Sequence, residues 1–266
     1  MQDVKKPLPA LAAMTIAFLT TFSLYSIAYA TIHGIPTVIT LFRYYWDGEI
    51  VLCPPEELRE DVQWAAERWN QAIQYFSVRY MLLDAAKTKI RVSSEGDDRC
   101  NVFFEYLDSP EGCGKASPDT TARVAYVEFI SPPHPTLSME VPMPVKAAKI
   151  LLWRGLNNLE RRAMILHEIA ALLGIGLPAY SRQPPYRSAS EPWGSLDVTS
   201  IDVYALFLKN RYAEAGSGII EAVTPWTLPY TTVGNDLFHT SVALCMSAAA
   251  AVAAYMMSSR RWKVAG

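Results

Sequence analysis

The sequence predicts a mixed α/β domain of the α+β kind, with five strands and long helices, carried between two terminal transmembrane helices. Three observations predict it. Long uncharged apolar runs lie near both ends of the chain. Between them, short β-branched and aromatic stretches are interspersed with stretches of helical periodicity. Late in that middle region, one helical stretch is apolar on nearly every side and holds a His and a Glu next to each other.

The ends come first. Residues 7–32 carry no charged side chain, and neither do residues 237–259. Each run exceeds the roughly 20 residues that a helix needs to cross a bilayer. Lys5 and Lys6 precede the first run, and Arg260, Arg261 and Lys263 follow the second. Basic flanks stay cytoplasmic, so both termini are expected inside and residues 33–235 outside. Ala28-Tyr29-Ala30 resembles a signal-peptidase site, and cleavage there would leave only the second anchor. The expected division is residues 1–33 as the first membrane helix or signal anchor, 34–212 as the ectodomain and 213–235 as a linker. Residues 236–259 are then the second membrane helix and 260–266 a basic tail.

The formal charge of −2 over 266 residues argues against a nucleic-acid partner, which would need a basic patch. Cys53, Cys100 and Cys113 fall in the ectodomain and Cys245 in the second membrane run. No pair has zinc-knuckle spacing. Cys100 and Cys113 could close a loop between two strands; the alternative is buried thiols.

Within the ectodomain, residues 49–52 read as a strand ended by Pro54-Pro55. Residues 56–76 read as a helix. Leu58, Val62, Ala65, Trp69, Ala72 and Phe76 recur at helical spacing, and Glu56, Glu57 and Asp61 suit its positive end. Residues 89–92 are a second strand. Residues 100–107, with Val102, Phe103, Phe104 and Tyr106, are a third. Residues 123–130 alternate as a fourth, broken by Pro132-Pro133-His134-Pro135. Residues 147–153 are apolar enough for a central fifth. Residues 157–173 read as a core helix capped by Asn157 or Asn158 and ended by Gly174 and Gly176. Residues 178–197 read as loop, and residues 200–212 as a last helix.

The core helix carries the chemistry. Zinc peptidases of the H-E-x-x-H-x-x-G-x-x-H pattern place two His at i and i+4 on one helical face, a Glu as general base, and a third His beyond a turning Gly. Here His167, Glu168 and Gly174 hold the first-ligand, base and turn positions. Ala171 and Leu177 stand where the other two ligands belong. Neither side chain binds a metal, and catalytic zinc takes three protein ligands plus water.

The order of elements and four local motifs resemble the metzincin zinc peptidases, the matrixin-like ones most closely. Residues 56–76 with Ala65-Ala66 and Trp69 look like the family's first long helix. Ala148-Lys149-Ile150-Leu151-Leu152 looks like the strand before the active-site helix. His167-Glu168-Ile169 with Gly174-Ile175-Gly176 looks like the zinc motif, and residues 200–206 look like the closing helix. The resemblance spans residues 46–212. It implies a mixed five-stranded sheet and an extended peptide held against an edge strand, here residues 123–130, with Arg123, Ala125, Val127 and Phe129. The departures are Ala171, Leu177, Ala170 in place of a customary Gly, and no Met between Met164 and Met246 for the turn beneath the zinc.

The expectation is a membrane-anchored, extracytoplasmic pseudopeptidase. It would have a degenerate zinc site, no cofactor and a vestigial base in Glu168, and would bind a peptide or protein partner. One alternative is an active zinc endopeptidase that recruits His134, Asp197 or Asp202 as ligands. Another is a structural subunit of a membrane complex.

Overall fold

The computed structural model describes residues 8–34, 38–42, 44–46, 48–108, 125–131, 143–176, 196–213, 221–225 and 228–264. In chain order the elements are α1 (Leu8–His33), β1 (Val38–Thr40), β2 (Tyr44–Trp46), β3 (Ile50–Cys53), α2 (Arg59–Arg79), β4 (Ile90–Val92) and β5 (Val102–Leu107). There follow β6 (Ala125–Ser131), β7 (Met143–Val145), β8 (Ala147–Trp153), α3 (Asn158–Leu172), α4 (Ser200–Ala213), β9 (Glu221–Val223) and α5 (Val233–Val264). They fall into two units, Met1–Gly34 with Gly234–Gly266, and Ile35–Val233.

The first unit is a pair of long helices. Leu8–His33 and Val233–Ser258 are each long and apolar enough to cross a membrane, with a mean hydropathy of 1.7. Protein covers only 6% and 17% of their apolar windows, so neither is a buried core helix. Aromatic and polar side chains join them. Tyr25 hydrogen-bonds to His239 Nδ1 at 2.8 Å, and the Tyr29 ring lies 4.5 Å from that of His239.

The second unit is built on a five-stranded mixed sheet in the order β4-β3-β5-β8-β6. The β4/β3, β3/β5 and β5/β8 pairs are parallel, and β6 runs antiparallel to β8 at the edge. β3 is buried along its whole length, as a strand covered on both faces must be. Helix α2 packs against α3 and α4, and α3 touches β6 and β8. Trp69, Phe76, Leu52, Ile150, Leu152 and Leu166 are fully buried in the resulting core. The Trp69 Nε1 also donates to the Leu166 carbonyl at 3.2 Å, tying α2 to the middle of α3. The five expected strands and three ectodomain helices are all present, with ends shifted by a few residues. The largest shift is at residues 56–58, which form a separate 3-10 turn before α2.

Two expectations need correction. Cys100 pairs with Cys53, not Cys113, with a Cα–Cα separation of 5.8 Å. The parallel pairing of β3 and β5 brings the start of β5 beside β3, and Asn101 N donates to the Val51 carbonyl at 3.3 Å. Cys113 lies outside the described residues. The stretch expected as a linker, residues 213–235, is partly folded onto the domain. Its β9 pairs antiparallel with β1, Thr232 bridges to Thr199, and Tyr230 is fully buried.

Candidate functional site

Helix α3 begins with a reciprocal cap. The Asn157 side chain accepts from the backbone N–H groups of Leu159 and Glu160, and Glu160 returns a bond to the Asn157 N–H. The sequence left Asn157 and Asn158 open as the cap; it is Asn157. At the other end, Gly174 N donates to the Ala171 carbonyl at 2.9 Å and Ile175 N to the Ala170 carbonyl at 3.0 Å. With Gly174 at φ +79, this is a Schellman termination. Gly174 is needed twice over. A Cβ there would lie 2.7 Å from Lys209 Cε and 3.0 Å from the Tyr44 carbonyl.

Between these ends lie the residues singled out by the sequence. His167 is half-buried, Glu168 is buried, and Ala171 sits one turn on from His167 along the same face. Tyr44 of β2 reaches the backbone of this stretch. Its hydroxyl donates to the Ala171 carbonyl. Its ring stacks on Phe42 at 5.5 Å and meets Phe129 of β6 at 4.5 Å. Burial, and after it the nearby charge of Glu168, pushes the Tyr44 hydroxyl well above the usual phenol range. Tyr44 therefore stays a neutral donor at any physiological pH.

The other expected residues divide. Ala125, Val127 and Phe129 lie on β6, opposite Leu152, Ile150 and Ala148 of β8. Ala125 is buried, and Val127 and Phe129 are half-buried. Among the described strands, β6 is an edge strand paired with β8. Arg123, His134 and Leu177 lie outside the described residues. Asp202 serves as a cap: Thr199 donates to it from both N and Oγ1 at 2.8 Å. Asp197 lies 3.6 Å from Arg68; burial raises its pKa and the guanidinium opposes that shift. Among the described residues, no three His, Cys, Asp or Glu side chains converge as a metal-holding group. The donor set at α3 does not fit zinc: the position one turn from His167 offers a methyl and a carbonyl already holding two donors.

Sequence reasoning missed Tyr44 and Lys209. Lys209 was legible in principle, as a cation directly following the apolar run Ala205 to Leu208 on α4. It is 8% exposed, its Nζ donates to the Phe42 carbonyl, and it lies 5.6 Å from the Tyr44 ring centroid. Tyr44 gave no local signal, because β2 is three residues long and pairs with β7, about 100 positions away. Compared with known proteins, the chain matches no protein-family model and no curated sequence.

Proposed function

We propose that the unit Ile35–Val233 is a metzincin-like pseudopeptidase domain, held at a membrane by α1 and α5, that binds an extended peptide along β6 without hydrolysing it. The observation that carries this reading is Tyr44. Its hydroxyl donates to the Ala171 carbonyl, which ties the residue at the second ligand position to β2 through its backbone, and its ring packs against Phe129 of β6. Glu168 beside a single imidazole has no metal-activated water to deprotonate. An edge strand, in contrast, can bind an extended chain through backbone hydrogen bonds and needs no metal. That edge lies directly beside β8, the strand that leads into α3.

The purified full chain should carry well under one zinc, and Glu168→Gln should leave its negligible peptide cleavage unchanged. Metal analysis and a fluorogenic peptide assay check both. Stoichiometric zinc, with cleavage abolished by Glu168→Gln, would instead establish an active peptidase with ligands outside the described residues.

The membrane reading rests on the two long apolar helices and their low coverage by protein. The basic residues at both ends orient it. Reporter fusions at Gly266 and after Ser94 should report opposite sides of the membrane, with Ser94 outside. A cytoplasmic signal at Ser94 would reverse this topology, and a mature N-terminus at Thr31 would leave α5 as the sole anchor.

A further inference from the structure

The pair formed by α1 and α5 carries a polar cluster at the end where α1 finishes and α5 begins. Tyr25, Tyr29 and His33 recur at helical spacing on α1, and Asn235 and His239 do so on α5, so each set lies on one face of its helix. The Tyr29 ring lies 4.7 Å from that of His33 and 4.5 Å from that of His239. The ring centroids of the two histidines lie 5.5 Å apart. The Tyr25 hydroxyl is bonded to His239 Nδ1 at 2.8 Å, and Asn235 Nδ2 donates to the Tyr29 hydroxyl at 3.4 Å. His33 Nδ1 is buried with no hydrogen-bond partner among the described residues. Ionisable side chains within apolar membrane helices are costly, and by default they mark a function.

We infer that His33 and His239 form an acid-sensitive latch, which holds α1 on α5 while at most one imidazole is protonated and releases it when both are. Histidine is the side chain whose charge ordinarily changes between about pH 5 and 8. A neutral His33 can carry its proton on Nε2 and leave Nδ1 as a bare lone pair. A protonated His33 must bury an N–H at Nδ1 without an acceptor, which costs more. A second charge on His239, with the rings 5.5 Å apart and partly shielded from water, adds direct repulsion. Tyr25 and Tyr29, the titratable groups of α1 beside the two rings, stay uncharged in this pH range. Charged side chains able to offset the repulsion are few. Residues 7–32 carry none, and between residues 233 and 259 only Asp236 is charged. Asp236 is buried in the first turn of α5, before His239. One carboxylate balances one imidazolium and not two. It also stays on the same helix as His239 whether or not α1 is docked, so its attraction does not cancel the repulsion between the helices. The latch rests on the reading of α1 and α5 as a membrane pair, which the reporter fusions test separately, and not on the pseudopeptidase reading.

The test is energy transfer between dyes on Leu11→Cys and Met257→Cys, exposed positions at the opposite end of the pair, in the full chain carrying Cys113→Ser and Cys245→Ser. The chain is held in mixed micelles and titrated with dodecyl sulfate, so that helix separation is read as an equilibrium. Between about pH 7.5 and about pH 5 the docking constant should fall about tenfold or more when both histidines are present. His33→Gln and His239→Gln each leave a single titrating ring in the pair and should reduce that fall to about threefold or less. His134 and His167 remain in both variants, so an undiminished acid response in both arises elsewhere and overturns the inference. Docking that is independent of pH, or that tightens in acid, overturns it too. Absence of transfer at neutral pH would remove the pair itself. Failure of both glutamine variants to dock at neutral pH would make the imidazoles structural ties rather than a charge-operated latch, and counts against the inference equally.

Discussion

Asp61→Ala should destabilise the central domain by about 3–5 kcal/mol, the scale for removing one partner of a buried ion pair. Asp61 is 4% exposed in the first turn of α2 and is clamped from α3. Arg161 Nε donates to its Oδ2 and Arg162 Nε to its Oδ1, each at 2.6 Å. Truncation would leave two guanidiniums, both largely covered, without their shared anion. It would also cut the polar tie between the N-terminal turns of α2 and α3. Glu60 is the internal control. It pairs with Arg162 Nη2 at 2.7 Å, but its side chain is 89% exposed. Such a surface pair contributes under about 1 kcal/mol. Denaturant unfolding followed by tryptophan fluorescence should therefore separate Asp61→Ala clearly from Glu60→Ala. Equal, small losses from both would show that the clamp contributes nothing beyond a surface contact.

Loss of the Cys53–Cys100 disulfide should cost about 4 kcal/mol. The bridge spans a sequence separation of 47, and closing a loop of that length removes about that much unfolded-chain entropy at 25 °C. Cys100→Ser should show the full effect in the same unfolding assay. Reduction of the native chain should reproduce it once the bond is opened. Peptide mapping without reduction should recover Cys53 linked to Cys100. A Cys100–Cys113 peptide in its place would refute the pairing.

The features legible in the sequence were those whose cause lies within about a dozen residues. The alternating and β-branched runs of β5, β6 and β8 announced strands. The spacing of Val62, Ala65, Trp69, Ala72 and Phe76 announced the buried face of α2. Asn157, Glu160 and Gly174 announced both ends of α3, because caps act on backbone groups one turn away. The two apolar runs announced α1 and α5 by length alone. The absence of usable ligands at Ala171 and Leu177 was also plain, since a methyl or isobutyl group cannot bind zinc in any fold.

What the sequence could not determine was pairing between distant segments. β1 with β9 and β2 with β7 join three-residue strands, too short to show a period of two and specified only by a partner far along the chain. The choice of Cys53 over Cys113 followed from strand order, which no spacing encodes. The same holds for the site. His167 and Glu168 were visible as a motif, but Tyr44 reaches Ala171 across 127 positions and Lys209 reaches Phe42 across 167. Those contacts exist only after the sheet and helices have packed. Local propensity therefore determined the long elements, and tertiary packing decided the short strands and the contacts that reach the end of α3.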